Sequence, residues 1–179
     1  MEYERKSCTL SIGEFLSRYV DIPSFLKCCA VCPNFGSVWS CPPYNFDPES
    51  LWRSYGNIRI VCVKMDFGAL AEKDDAASQE EAARMRREQF HVMEAELLRM
   101  ETENPGSRAL LAGSCHACAV CARKEGKPCR FPEKMRYSVE SLGANVGKLT
   151  EEQFDLPLLW SKRGEIPAYG VLCGGLLLP

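Results

Sequence analysis

The sequence lacks the marks of most enzyme classes. It has no phosphate-binding loop, no dinucleotide-binding glycine fingerprint and no catalytic triad. Histidine is scarce: His91 and His116 are the only two. A basic excess is missing as well. The net charge is −2 and the pI about 5.8, which argues against nucleic acid or an anionic membrane as a partner. The charged start from Met1 to Lys6 has no apolar stretch behind it, unlike a secretory signal. The apolar end from Val171 to Pro179 is too short to span a bilayer, and Gly174 and Gly175 interrupt it. Internal repeats and low-complexity tracts are absent. These absences lead to the expectation of a cytoplasmic, soluble protein, with residues 1–179 forming a single domain. Hydrophobic residues make up 46%, enough for a real core.

What the chain has in excess is cysteine, eleven in all. With nothing to suggest export, complete disulfide pairing is not expected, and the odd count fits it poorly. Clustered cysteines in a reducing compartment bind metal or carry redox chemistry.

The periodicities predict α/β or α+β architecture. Ser11 and Glu14 read as a capping box opening a helix to about Val20. Pro23 is expected to end that region, with a cysteine-rich loop from Cys28 to Tyr44. Asp47 and Pro48 open another helix, for which Gly56 is the expected terminator. From Ile58 to Phe67 both alternating faces are apolar, so a strand covered on both sides is predicted. Ser78 and Glu81 suggest a second capping box, opening a long helix to about Glu103 with Phe90, Met93, Leu97 and Met100 inward. The acids that outnumber bases there read as a solvated face. Ala109 to Ala112 follows as a strand. Strand, helix and strand together predict a right-handed βαβ crossover in a small, partly parallel sheet carrying two cysteine-rich metal-binding loops. A further helix is expected from Pro132 to Gly143, and a last strand from Tyr169 to Leu178.

Seven cysteines fall in two groups. Cys29, Cys32 and Cys41 form the first, and Cys115, Cys118, Cys121 and Cys129 the second. Three cysteines at successive two-residue gaps let one tight loop aim three thiolates at a single cubane, as in bacterial ferredoxins. The fourth, Cys129, comes later than in that pattern, so it closes the same cluster by a wider loop or ligates a different one. In the first group, Pro42 and Pro43 would hold Cys41 rigid, and Trp39 and Tyr44 would form an apolar wall. The expected cofactor is therefore one or two [4Fe-4S] clusters. Six bases against two acids between Cys121 and Tyr137 would offset cluster charge, sit as ordinary surface charges, or dock an acidic redox partner.

Zinc is the alternative cofactor. Cys29 and Cys32 with Cys118 and Cys121 would make a four-thiolate staple in a structural or regulatory module without redox activity. Against it, four-coordinate zinc does not need Cys115, Cys118 and Cys121 together. Cys28 is ambiguous, a spare ligand or a redox thiol. Cys62 and Cys173 read as core residues, Cys8 has no evident role, and His116 reads as a bystander. Cys28 and Cys32 match only the first half of the C-x3-C-x2-C signature of radical S-adenosylmethionine enzymes, and the chain is short for that barrel.

The pair of motifs, CAVCPNFGSVWSCPP from Cys29 to Pro43 and CHACAVC from Cys115 to Cys121 with CRFP ending at Pro132, resembles a family of predicted metal-binding proteins of unknown function. Members of that family look like small cytoplasmic proteins of anaerobic bacteria and archaea. The similarity extends through SLGANVGKL (residues 141–149) to the apolar end. It implies that the seven cysteines are ligands and leaves metal and role open. The functional expectation is an iron–sulfur protein acting in electron transfer or as a small cluster-dependent redox or Lewis-acid enzyme.

Overall fold

In a computed structural model covering residues 3–73, 75–160 and 165–179, the central element is the strand β2 (Asn57–Asp66). Its run of β-branched and apolar residues buries both faces, as the alternation predicts. Ile58, Ile60 and Cys62 enter one core, and Val61, Val63 and Met65 the other. β1 (Tyr3–Ser11) flanks it on one side and β4 (Tyr169–Leu178) on the other, with β3 (Arg108–Leu110) beyond β4, giving the order β1-β2-β4-β3.

Every ladder is antiparallel, which corrects the expected partly parallel sheet. β2 and β3 do run in the same direction, joined by a long helix, but β4 lies between them and pairs with both. The C-terminal strand is ten residues long and apolar enough to take the buried position, so it separates the two strands that the crossover aligns. The parallel pairing is an isolated bridge, Leu111 with Ser138. β1 escapes the sequence reading because Glu4, Arg5 and Lys6 are exposed or partly exposed on this edge, and charged edge residues break the apolar alternation.

On one sheet face lies α5 (Ala76–Glu103), which buries Ala82, Met85, Phe90, Met93 and Leu97, with Met100 half-buried. Its N-cap is Asp75, whose carboxylate accepts from the Ser78 N–H at 2.7 Å, so the helix starts before the expected Ser78 box. On the other face pack α1 (Ile12–Tyr19), α3 (Pro48–Arg53) and α6 (Val146–Phe154), around Phe15, Tyr19, Trp52 and Leu149. The short α4 (Gly68–Ala71) follows β2.

Three local expectations change. Pro23 does not end the first helical region. It occupies the first turn of α2 (Ile22–Ala30), capped by Asp21, where a missing N–H has no helical partner to lose. Cys28 and Cys29 therefore ride on a helix. Gly56 is not a helix terminator, because α3 caps at Ser54 and the Gly56 N–H donates to Leu178. No helix runs from Pro132 to Gly143. The Leu111 N–H donates to Tyr137 at 2.8 Å and Arg136 makes a bidentate pair with Glu101, so this segment is drawn along β3 and helical hydrogen bonding is lost. Beyond a turn in which the Met135 N–H donates to Phe131 at 3.0 Å, only a single 3-10 turn, Glu140–Leu142, remains, ended by Gly143 at φ +94°. Among the described residues no helix is long and apolar enough to cross a membrane.

Candidate metal centre

The last turn of α2 presents Cys29, and the chain then folds back on itself in short turns. The Cys32 N–H donates to Cys29 at 2.9 Å, Phe35 to Cys32 at 3.0 Å and Cys41 to Val38 at 3.0 Å. Gly36, at φ +66°, reverses the chain and donates to Pro42 at 2.8 Å. These turns bring Cys29, Cys32 and Cys41 to the wall of one cavity of about 190 Å³, with Glu140 and Ser141 lining it too. Of the two prolines after Cys41, Pro42 is buried and Pro43 is exposed. Tyr44 is half-buried, its hydroxyl within hydrogen-bond distance of the carbonyls of Ser40 (2.9 Å) and Ser141 (3.2 Å). Its ring stacks on Phe46 at 4.9 Å and meets Tyr137 edge-on at 5.2 Å.

Burial dominates the electrostatics of this cavity. It pushes the Cys41 thiol up to about 11. Ser40 opposes the shift, and the neighbouring charges of Cys32, Cys29 and Glu140 add to it. Cys29 is raised by burial, then by Cys32, Glu140 and Cys28. The Glu140 carboxyl is itself held above the usual carboxylate range by burial, against hydrogen bonds from its own N–H, Ser138 and Gly113.

β3 delivers the second group. After Leu111 the chain turns at Gly113 (φ +103°) into Cys115. Burial raises the Cys115 thiol, the Ala117 N–H (3.5 Å from its Sγ) opposes this, and Cys129, Glu94 and Cys118 raise it further. Cys129 thus lies within electrostatic reach of Cys115. Cys121 caps a 3-10 turn over Ala122–Glu125.

The two loops are bound to each other. The buried Ser40 hydroxyl accepts from the Cys115 N–H at 2.9 Å. Arg123 donates to the carbonyls of Val38 (3.0 Å), Cys41 (2.6 Å) and Pro43 (2.6 Å), and its guanidinium lies 4.8 Å from the centre of the Trp39 ring. The Trp39 indole donates to Lys127 at 3.0 Å. Two of the six bases expected to offset charge or to dock a partner are therefore committed inside the fold: Arg123 to the first loop and Arg136 to Glu101. Trp39 is partly exposed and works as a platform for Arg123 more than as a wall for Cys41.

Among the described residues, no group of three or more cysteine, histidine, aspartate or glutamate side chains is close enough to hold a metal ion. Cys29, Cys32 and Cys41 line one cavity, and the cysteines of the second group share one loop region. Cys28 is exposed. Cys62 and Cys173 are buried opposite each other on β2 and β4, and Cys8 packs at the edge of the same core. His116 is exposed, its ring edge-on to Phe90 at 4.9 Å. Ser40 and Glu140 have no role in the sequence reading, and Arg123 enters it only as one of six bases. A buried serine, one arginine among six bases and one acid among many have no spacing signal, and only the tertiary fold singles them out.

Neither a curated protein nor a solved structure was found to match this chain. The model of one family matches residues 20–177, a span that holds both cysteine groups, α2 to α6 and nearly all of β4. The chain belongs to this family, described as predicted metal-binding protein (DUF2284).

Proposed function

We infer that the protein is an iron–sulfur protein with one or two [4Fe-4S] clusters, serving electron transfer or a small cluster-dependent redox or Lewis-acid reaction. The observation that carries this reading is the arrangement of Cys29, Cys32 and Cys41 around one cavity of about 190 Å³. A single zinc ion binds sulfur at about 2.3 Å and draws its ligands onto one point. A cubane is several atoms wide and takes thiolates from around its faces. The donor set, soft thiols on two adjoining loops, suits such a cluster.

Cys115, Cys118, Cys121 and Cys129 would hold the second cluster, a grouping supported by the influence of Cys129 on Cys115. Bound there, a cubane with four thiolates exchanges electrons, whereas one with three also offers an open iron that polarises a ligand. The chain's own groups position the loops. Ser40 sets the start of the Cys115 loop against Cys41, and Arg123 fixes the carbonyls on both sides of Cys41. Lys124, Lys127, Arg130 and Lys134 stay exposed and would face an acidic redox partner.

Anaerobic purification with a visible spectrum and metal and sulfide analysis on the same sample tests this. A brown protein with about four or eight irons and matching sulfide per chain is expected. A colourless protein with stoichiometric zinc and no sulfide would leave the structural role instead. The Cys129→Ser variant should lose iron from the second centre. An unchanged iron content and spectrum would remove Cys129 from the ligand set.

A further inference from the structure

The first group offers three thiolates, one short of the four that saturate a cubane or a structural zinc. Cys28 is the nearest further cysteine in sequence, but it is exposed on α2 and is not among the residues that wall the cavity. Glu140 is. It lies on the cavity wall with Cys29, Cys32 and Cys41, brought there from a segment about a hundred residues downstream.

The fold holds this glutamate firmly. Ser138 and Ser141 exchange hydrogen bonds around it, each side-chain oxygen accepting the other's backbone N–H at 3.1 and 3.2 Å. The Tyr44 hydroxyl ties Ser141 to the first cysteine loop. Gly143, at φ +94°, closes the turn so tightly against α2 that a Cβ there would sit 2.7 Å from an Ile22 side-chain carbon. Glu140 thus keeps a fixed place relative to the helix that carries Cys29.

Its surroundings are wrong for an isolated carboxylate. Hydrogen bonds come from Ser138, Gly113 and its own N–H, and among the described residues no lysine or arginine is paired with it. Glu140 is partly buried, and it shares its cavity with three thiols and with no lysine or arginine. Carboxylate oxygen ligates both iron and zinc, though as a harder donor than thiolate. The same residue also lines a second, mostly apolar cavity of about 380 Å³ with Phe25, Val171 and Leu172.

We propose that Glu140 is the fourth protein ligand of the metal centre held by Cys29, Cys32 and Cys41. It rests on the metal-centre reading above and makes this centre three-thiolate, one-carboxylate, unlike its all-thiolate neighbour. Glu140 would supply the exchangeable, oxygen-ligated position, and the same residue lines the apolar cavity.

The test compares anaerobically purified wild type with Glu140→Gln, which keeps the shape and removes the anionic oxygen. Iron and sulfide are counted per chain, and electron paramagnetic resonance follows mild oxidation. The Gln variant should lose one iron per chain and show a three-iron cluster, with the second cluster's signal unchanged. Equal iron, sulfide and spectra in the two proteins would overturn the assignment. If the wild type instead carries zinc without sulfide, the cluster reading fails, and zinc decides the ligand: one equivalent lost from the variant supports Glu140, and full retention overturns it. Should the variant not fold, Mössbauer spectra of iron-57-loaded wild type settle the matter. One iron distinct from the thiolate-bound set supports the carboxylate, and uniform thiolate irons refute it.

Discussion

Gly174 sits where β4 passes beneath α5. A Cβ at this position would lie 2.7 Å from a Leu97 methyl and 2.9 Å from the Leu110 carbonyl oxygen. Neither can retreat, since Leu97 is fully buried and the carbonyl belongs to β3. Gly174→Ala should therefore cost about 2 kcal/mol, the usual range for forcing a carbon into a packed core, read as a lower denaturant midpoint at unchanged slope. An unaltered midpoint would show that α5 does not press on the sheet as described. Cysteine illustrates the same dependence on place. Cys62 and Cys173 are buried core residues, while the thiols at the cavity wall stay partly accessible.

At the scale of elements, the two cysteine loops behave as one unit because Arg123 binds three carbonyls of the first from within the second. Its fork of donors reaches the Cys41 and Pro43 carbonyls and adds a second bond to that of Val38, which already accepts from the Cys41 N–H, and its flat face covers Trp39. Arg123→Met keeps the length and removes the donors. It should weaken metal retention by about 10–100-fold, the typical effect of losing a group that orients ligands, measured by competition with a chelator. Arg123→Lys should rescue only part of this, because one ammonium cannot reach all three carbonyls in the same geometry. Equal retention in wild type and the Met variant would reduce Arg123 to a surface contact.

Across the whole molecule, one partly buried ion pair joins the segment after Cys129 to the end of α5. Arg136 meets both oxygens of Glu101 at 2.7 and 2.8 Å, and the Ala109 N–H donates to the same carboxylate at 2.7 Å. Burial would raise the Glu101 carboxyl, but Arg136 and Ala109 outweigh it and hold it below the ordinary range. A carboxyl depressed in the folded state adds stability above its unfolded value, about 4.3, and loses it as pH falls through the folded value. Glu101→Gln should thus cost about 1–2 kcal/mol at pH 7, with the gap to wild type closing as the pH is taken below about 4. Urea midpoints across that window check it, and a gap independent of pH would show that the charge on Glu101 contributes nothing.

Much of the outline was legible from residue pattern alone. The two apolar faces of β2, the inward stripe of α5, the final strand and the grouping of seven cysteines all follow from short-range periodicity and spacing, which are properties of a segment by itself. The strand order is not such a property. β2, α5 and β3 carry every local sign of a crossover, and only the arrival of β4 from the far end of the chain makes each ladder antiparallel. Glu140 is the same case at the candidate metal centre. Nothing in its neighbourhood along the chain distinguishes it, and it meets Cys29, Cys32 and Cys41 because α2 and the Ser138–Gly143 turn pack together. Local patterns determined which segments form elements and which cysteines group along the chain. Long-range packing decided which of those segments become neighbours, because burial depends on every surface that competes to cover it.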